Sequence, residues 1–174
     1  SILPCDENGR YSPEALERMI RPDTALVSLQ VANHETGVIQ PIAQIGSIAR
    51  ERHIPLHCDA VAAYGHIPLD VRALKIDLLS ASAHKMGGPS GAGFLYVRNE
   101  IPLVALFLGG SQERSQRPGT ENLPAIAGFA KALSCAAIPA DASVRDHLQA
   151  LLLARFPSAR VNGGTVARLP HILN

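Results

Sequence analysis

Tryptophan is missing from this chain altogether, and tyrosine and phenylalanine bring the aromatic share to only 4%. Charge of one sign is missing too: 16 lysines and arginines stand against 15 aspartates and glutamates, a formal net charge of +1. A nucleic-acid partner or an anionic membrane surface requires a basic excess or a basic stripe, and neither is present. The longest apolar run, "IPLVALFLGG", is far too short to span a bilayer. Cysteine is scarce: Cys5, Cys58 and Cys135 are widely spaced and odd in number. They make neither a disulfide framework nor a zinc cluster, so no metal is expected and a reducing cytoplasm is the default compartment. There is no secretory signal, internal repeat or low-complexity segment. Nor is there an initiating methionine, and "RVNGGTVARLPHILN" closes on what reads as a strand. The expectation is a fragment of a longer protein.

What is present is ample material for a core: 174 residues, 47% of them apolar. "SPEALERMI" opens with a serine cap, a proline at the first helical position and a glutamate in the first turn, and so predicts a helix. Strands are predicted over 24–32, 54–58, 77–82 and 91–98, from short β-branched or continuously apolar runs. Helices are predicted over 41–52, from 121 onward in "ENLPAIAGFAKALSCAA", and in the amphipathic "SVRDHLQALLLARF", after which "ARVNGG" returns to strand and turn. Strands alternating with helices predict an α/β layer with a largely parallel sheet. Ligands of such sheets sit beyond the carboxyl ends of the strands. His34, Asp59 and the run Ser82 to Lys85 each follow a predicted strand.

Those residue types suggest a chemistry. A lysine at a strand end can form a Schiff base with an aldehyde cofactor once its ammonium loses a proton. Pyridoxal 5'-phosphate, the common such cofactor, also needs a carboxylate against its pyridinium nitrogen and donors for its phosphate. Lys85 can be the anchor and Asp59 the carboxylate. Ser82, His84, nearby backbone amides and Thr120 in "RPGTEN" can be the donors. The same residues also admit a plainer account: a loop cation, a turn aspartate and a packed histidine.

The segments "HCDAVAAYGHIPLD", "DLLSASAHKMGGPSGAGFLYVR" and "LGGSQERSQRPGTENLPAIAGF", in that order and spacing, resemble the class V aminotransferase superfamily, and within it the cysteine desulfurases of the iron–sulfur-cluster type. "LPCDENGRYSPEALERMIRPDTALVS" and "ANHETGVIQPIAQIG" extend the resemblance over nearly the whole chain. It implies a fold-type I large domain over 1–136, incomplete, with a mostly parallel sheet and flanking helices. The start of a small C-terminal α+β domain would follow over 137–174. It implies that Lys85 carries pyridoxal phosphate as a Schiff base, that Asp59 pairs with the ring nitrogen, and that Ser82 and His84 bind the phosphate. Thr120 would reach a phosphate across a homodimer interface, and His34 stands where many relatives carry an asparagine near the cofactor's phenolic oxygen.

The activity implied is conversion of L-cysteine to L-alanine, with sulfur passed to an enzyme cysteine as a persulfide and then to an iron–sulfur scaffold or another sulfur acceptor. Sister activities, a selenocysteine lyase or a small-amino-acid aminotransferase, and a non-catalytic truncated scaffold are the alternatives. Position 62 departs from the family pattern: Ala62 replaces the usual glutamine that contacts the phenolic oxygen. None of the three cysteines is expected to be the nucleophile. Strand alternation turns Cys58 away from Asp59, Cys135 lies in a helix beyond the site, and Cys5 is far along the chain from every motif.

Overall fold

A computed structural model of the protein describes residues 1–136 and 138–174. At its centre are four strands, β1 (Val27–Gln30), β2 (Leu56–Asp59), β3 (Leu78–Ser82) and β4 (Gly93–Val97), hydrogen-bonded in sequence order. The first three run parallel, and β4 returns antiparallel beside β3. The register sets Gln30 beside Asp59 and Asp59 beside Ser80. All four predicted strands form, each shorter than its apolar run. β1, for instance, stops early because the Asn33 side chain accepts from the amides of Glu35 and Thr36 and turns the chain.

Among the described residues the chain also forms four helices of more than one turn: α1 (Pro13–Met19), α2 (Ile42–Glu51), α3 (Leu123–Cys135) and α4 (Ser143–Arg155). The start of α1 follows its sequence signals, since Ser12 Oγ accepts from the Ala15 amide at 3.0 Å and Pro13 occupies the first turn. On α2 the buried residues Ile42, Ile45, Gly46 and Ala49 recur at helical spacing and turn one stripe to the core. Residues Gln112–Ser115 make a tight turn in which Glu113, Arg114 and Ser115 all have positive φ.

The core lies on one side of the sheet. Ile45, Leu56, Cys58, Ile76, Leu79 and Leu169 are at most 1% exposed, and each large aliphatic among them contributes about 1.5–3 kcal/mol by leaving water. Tyr64, Phe94 and Phe129 extend it as an aromatic file, with centroid separations of 5.1 and 5.7 Å, and so fasten α3 to β4.

Two features differ from the sequence expectation. No strand forms over 159–164, where the chain instead turns twice, Gly164 N bonding to Val161 O and Val166 N to Gly163 O. Its continuation makes one bridge, Arg168 to Val38, and places Leu169 in the main core. Helix α4 forms as its pattern predicts but buries no residue, so Val144, Leu148 and Leu151 remain exposed. The expected domain boundary at 137 falls on the one residue outside the described set. No helix among the described residues is long and apolar enough to cross a membrane.

Candidate active site

Alternation along β2 and β3 separates two environments. Leu56, Cys58, Leu79 and Ala81 point into the core. Asp59, His57, Ser80 and Ser82 point to the opposite face, as do Ser28 and Gln30 of β1. Hydrogen bonds across this polar face confirm the common direction: His57 Nδ1 lies 2.8 Å from Ser28 Oγ, and His57 Nε2 lies 3.3 Å from Ser80 Oγ. No helix among the described residues covers it, although parallel sheets as a rule are covered on both faces.

Asp59 ends β2. Its backbone is held by the Val31 amide at 2.7 Å, and its Oδ1 accepts from the Val61 amide at 2.9 Å. That leaves Oδ2 without a partner among the described residues, on an exposed side chain. One strand over, β3 ends at Ser82 and runs into a single 3₁₀ turn, Ala83–Met86, that carries His84 and Lys85. Ser82 Oγ and His84 Nδ1 are 2.7 Å apart. Lys85 is exposed, and its ammonium has no ion-pair or hydrogen-bond partner among the described residues. Lys75, by contrast, donates to Ser47 Oγ at 2.9 Å.

The turn is held firmly. Gly87 closes it with φ +81°, a left-handed conformation that side-chain-bearing residues rarely adopt. Gly88 packs so closely that a Cβ there would lie 2.9 Å from Ala83 Cβ and 3.3 Å from Ala132 Cβ of α3. The sequence "AHKMGGP" therefore makes a rigid pedestal under an unconstrained lysine side chain.

The structure thus brings Asp59, Ser82, His84 and Lys85 to the carboxyl ends of the two adjacent central strands. His34 lies in the loop after β1, with its side chain 68% exposed and its Nε2 3.9 Å from Glu35 Oε1. Thr120 sits in the exposed loop before α3 and makes no side-chain hydrogen bond among the described residues. Ala62 packs partly buried against the core. Sequence reasoning passed over His57 and Ser80, although the alternation in "LHCDA" already placed His57 on the side of Asp59. A groove of about 390 Å³ between α1 and β1 lies elsewhere, and the Arg21–Asp23 pair at its rim is satisfied internally, so it carries no chemistry.

The cysteines stand as alternation requires. Cys58 is fully buried, while Cys5 and Cys135 are exposed. Burial, and after it the Asp77 carboxylate, push the Cys58 thiol up to about 12. At pH 8 such a thiol carries about a thousandfold less thiolate than one near 9. Iodoacetamide should therefore label Cys5 and Cys135 in the folded protein and spare Cys58 until denaturant is added. Mass mapping that finds all three labelled at comparable rates would contradict this placement.

The family described as Aminotransferase class-V matches residues 1–158. A cysteine desulfurase IscS of Methanosarcina thermophila is 46% identical across 100% of this chain and 44% of its own length. The NifS-like protein of Rickettsia africae superposes with a TM-score of 0.88 at 35% identity, over 97% of this chain and 49% of that one. A structure described as SspA in complex with cysteine does so with a TM-score of 0.85 at 37% identity, over 95% and 47%. The chain spans about half the length of the relatives it matches. With the family match over residues 1–158 and a mostly parallel sheet in keeping with it, this chain belongs to the class V aminotransferase family.

Proposed function

We propose that the protein of which these residues form part is a pyridoxal phosphate-dependent cysteine desulfurase. The observation that carries the reading is Lys85, without a side-chain partner among the described residues, on the same tight turn as the Ser82–His84 pair and one strand over from the strand end bearing Asp59. The donor set suits the cofactor. Asp59 keeps a carboxylate oxygen free for a pyridinium N–H. With its proton on Nε2, His84 accepts from Ser82 Oγ at Nδ1 and turns one N–H outward as a donor, while Ser82 Oγ also lies 3.5 Å from the Ala92 carbonyl oxygen. Lys85 has an amine with no partner among the described residues.

When bound, pyridoxal phosphate supplies an electron sink that stabilises negative charge next to the amino carbon of the substrate. Asp59 holds the proton on the ring nitrogen and so keeps that sink effective. Ser82 and His84 hold the phosphate, and Lys85 holds the cofactor covalently. Its Nζ would be the amine to take a proton from the substrate Cα.

Sulfur transfer balances simply. A cysteine thiolate attacks the substrate sulfur, the C–S bond breaks, a proton takes the place of sulfur on Cβ, and alanine leaves behind an enzyme persulfide. Cys58 is buried in the core with its thiol pushed up to about 12 and is unsuited to that attack, and this reading assigns the accepting thiol to a part of the protein outside these residues. The cysteine named with SspA supports L-cysteine as substrate. The exposed Val104, Leu106, Phe107 and Leu108 support a homodimer, in which the nearby Thr120 reaches the partner's phosphate. His34 takes a place near the cofactor's phenolic oxygen. Residues 1–136 form part of the cofactor domain, and those beyond begin the smaller one. A sulfur-accepting scaffold protein takes the persulfide, and three free thiols suit a reducing cytoplasm.

The test is to supply the whole protein with pyridoxal phosphate and L-cysteine, and to measure alanine and protein-bound persulfide. Equal yields are expected, with turnover reduced about a hundredfold in Asp59→Asn while the melting temperature hardly moves. Amino transfer to a keto acid without sulfur release would place the activity among the transaminases. Undiminished turnover in Asp59→Asn would remove Asp59 from the site.

A further inference from the structure

Behind the lysine turn lies a histidine that the proposed chemistry does not use. His66 Nε2 is 2.9 Å from the backbone carbonyl oxygen of Lys85. A carbonyl can only accept, so His66 carries its proton on Nε2 and donates. The imidazole is stacked on His171, with centroids 3.8 Å apart and planes tilted by 33°. Its own backbone carbonyl accepts from the Ala140 amide at 2.9 Å. One residue thus touches three parts of the chain: the lysine turn, the connection between α3 and α4, and the terminal segment whose Leu169 enters the core.

We propose that His66 is a positioning residue for Lys85, fixing the carbonyl of the lysine turn and linking it to the α3–α4 connection and to His171. The proposal rests on the reading of Lys85 as the cofactor-bearing lysine. The lysine side chain is long and unpartnered, so the direction from which Nζ rises is set by its backbone alone. Gly87 and Gly88 constrain that backbone from the C-terminal side, and His66 supplies the constraint at residue 85 itself. Partial burial and the adjoining His66 ring lower the pKa of His171 from the ordinary histidine value, which favours the uncharged form of His171 in the stack. A displacement of the connection or of the terminal segment would then be felt at Lys85 through a single side chain.

The experiment compares the unaltered chain with His66→Ala and His66→Gln, because glutamine retains an N–H donor on a side chain of similar reach. Amide hydrogen exchange needs no cofactor. The Gly88 amide, bonded to Ala83 O at 2.9 Å, should exchange about tenfold faster in His66→Ala and return to within about threefold in His66→Gln. Unchanged exchange in His66→Ala, or no recovery in His66→Gln, would overturn the donor role. Equal acceleration at the amide of Leu79 in β3 would mean general loosening and would overturn it too. Borohydride trapping of pyridoxal phosphate on Lys85 should slow and recover in the same order. If the unaltered chain traps none on Lys85, the cofactor reading fails, and the exchange result still decides whether His66 holds the turn.

Discussion

Lys85→Ala, and equally Lys85→Arg, will lose borohydride-stable attachment of pyridoxal phosphate by about a hundredfold or more relative to the unaltered protein. The two substitutions separate charge from chemistry. Arginine keeps a cation on the same turn, but its guanidinium stays protonated and is not the primary amine that an aldehyde requires. The competing lysines differ in their surroundings: Lys75 is engaged with Ser47, and Lys131 projects from α3. Peptide mapping after reduction should therefore find one pyridoxyl site. A label that persists in Lys85→Ala on Lys75 or Lys131 would show that the anchor has been misplaced. Since Lys85 is exposed and without partners, neither substitution should lower the melting temperature appreciably, and a cooperative loss of structure would count against reading the effect as chemical.

The largest effect on stability is expected at Asp77, at the opposite end of β3 from the lysine. Its side chain is 3% exposed, and its Oδ1 is shared by Arg98 Nε at 2.6 Å and Arg50 Nη2 at 3.0 Å. Its Oδ2 accepts from the buried Leu56 amide at 2.9 Å. One carboxylate therefore joins α2, β2, β3 and the end of β4. Asp77→Ala leaves an N–H without a partner and takes the counter-charge from Arg50, while Arg98 keeps Glu100 at 2.8 Å. Breaking a buried pair costs about 3–5 kcal/mol. Because Arg50 and Arg98 are 43% and 32% exposed and can turn to water, the lower end, about 3 kcal/mol, is expected. Asp77→Asn keeps an acceptor for Leu56 and should lose roughly half as much. Urea unfolding monitored by circular dichroism measures both. A midpoint for Asp77→Ala indistinguishable from that of the unaltered protein would refute the account.

Much of this molecule could be read from its residues in order, because the deciding interactions are local. Ser12 and Pro13 start α1 through bonds and torsions within one turn. The small residues of "AHKMGGP" make a tight turn wherever a strand delivers them. The two faces of β2 follow from the twofold alternation of any strand, which is why Cys58 could be assigned to the core and Asp59 to the other face without coordinates. Four of the residues proposed to serve the cofactor, Asp59, Ser82, His84 and Lys85, are legible for the same reason: each stands at or just past the end of an apolar run that reads as a strand.

Tertiary structure alone decided the rest. Nothing near Asp77 in the chain distinguishes it from a turn aspartate, since its partners Arg50 and Arg98 are more than twenty residues away on either side. His66 and His171 are over a hundred residues apart, and their stacking depends on the path of the segment after α4. Leu169 follows a stretch that reads as strand, yet it reaches the core through two turns and a single bridge. Local pattern sets torsions and faces, over distances of a few residues. Which faces meet, and which charges are left to find each other, is settled only when the chain closes on itself and desolvation makes each unpaired group costly.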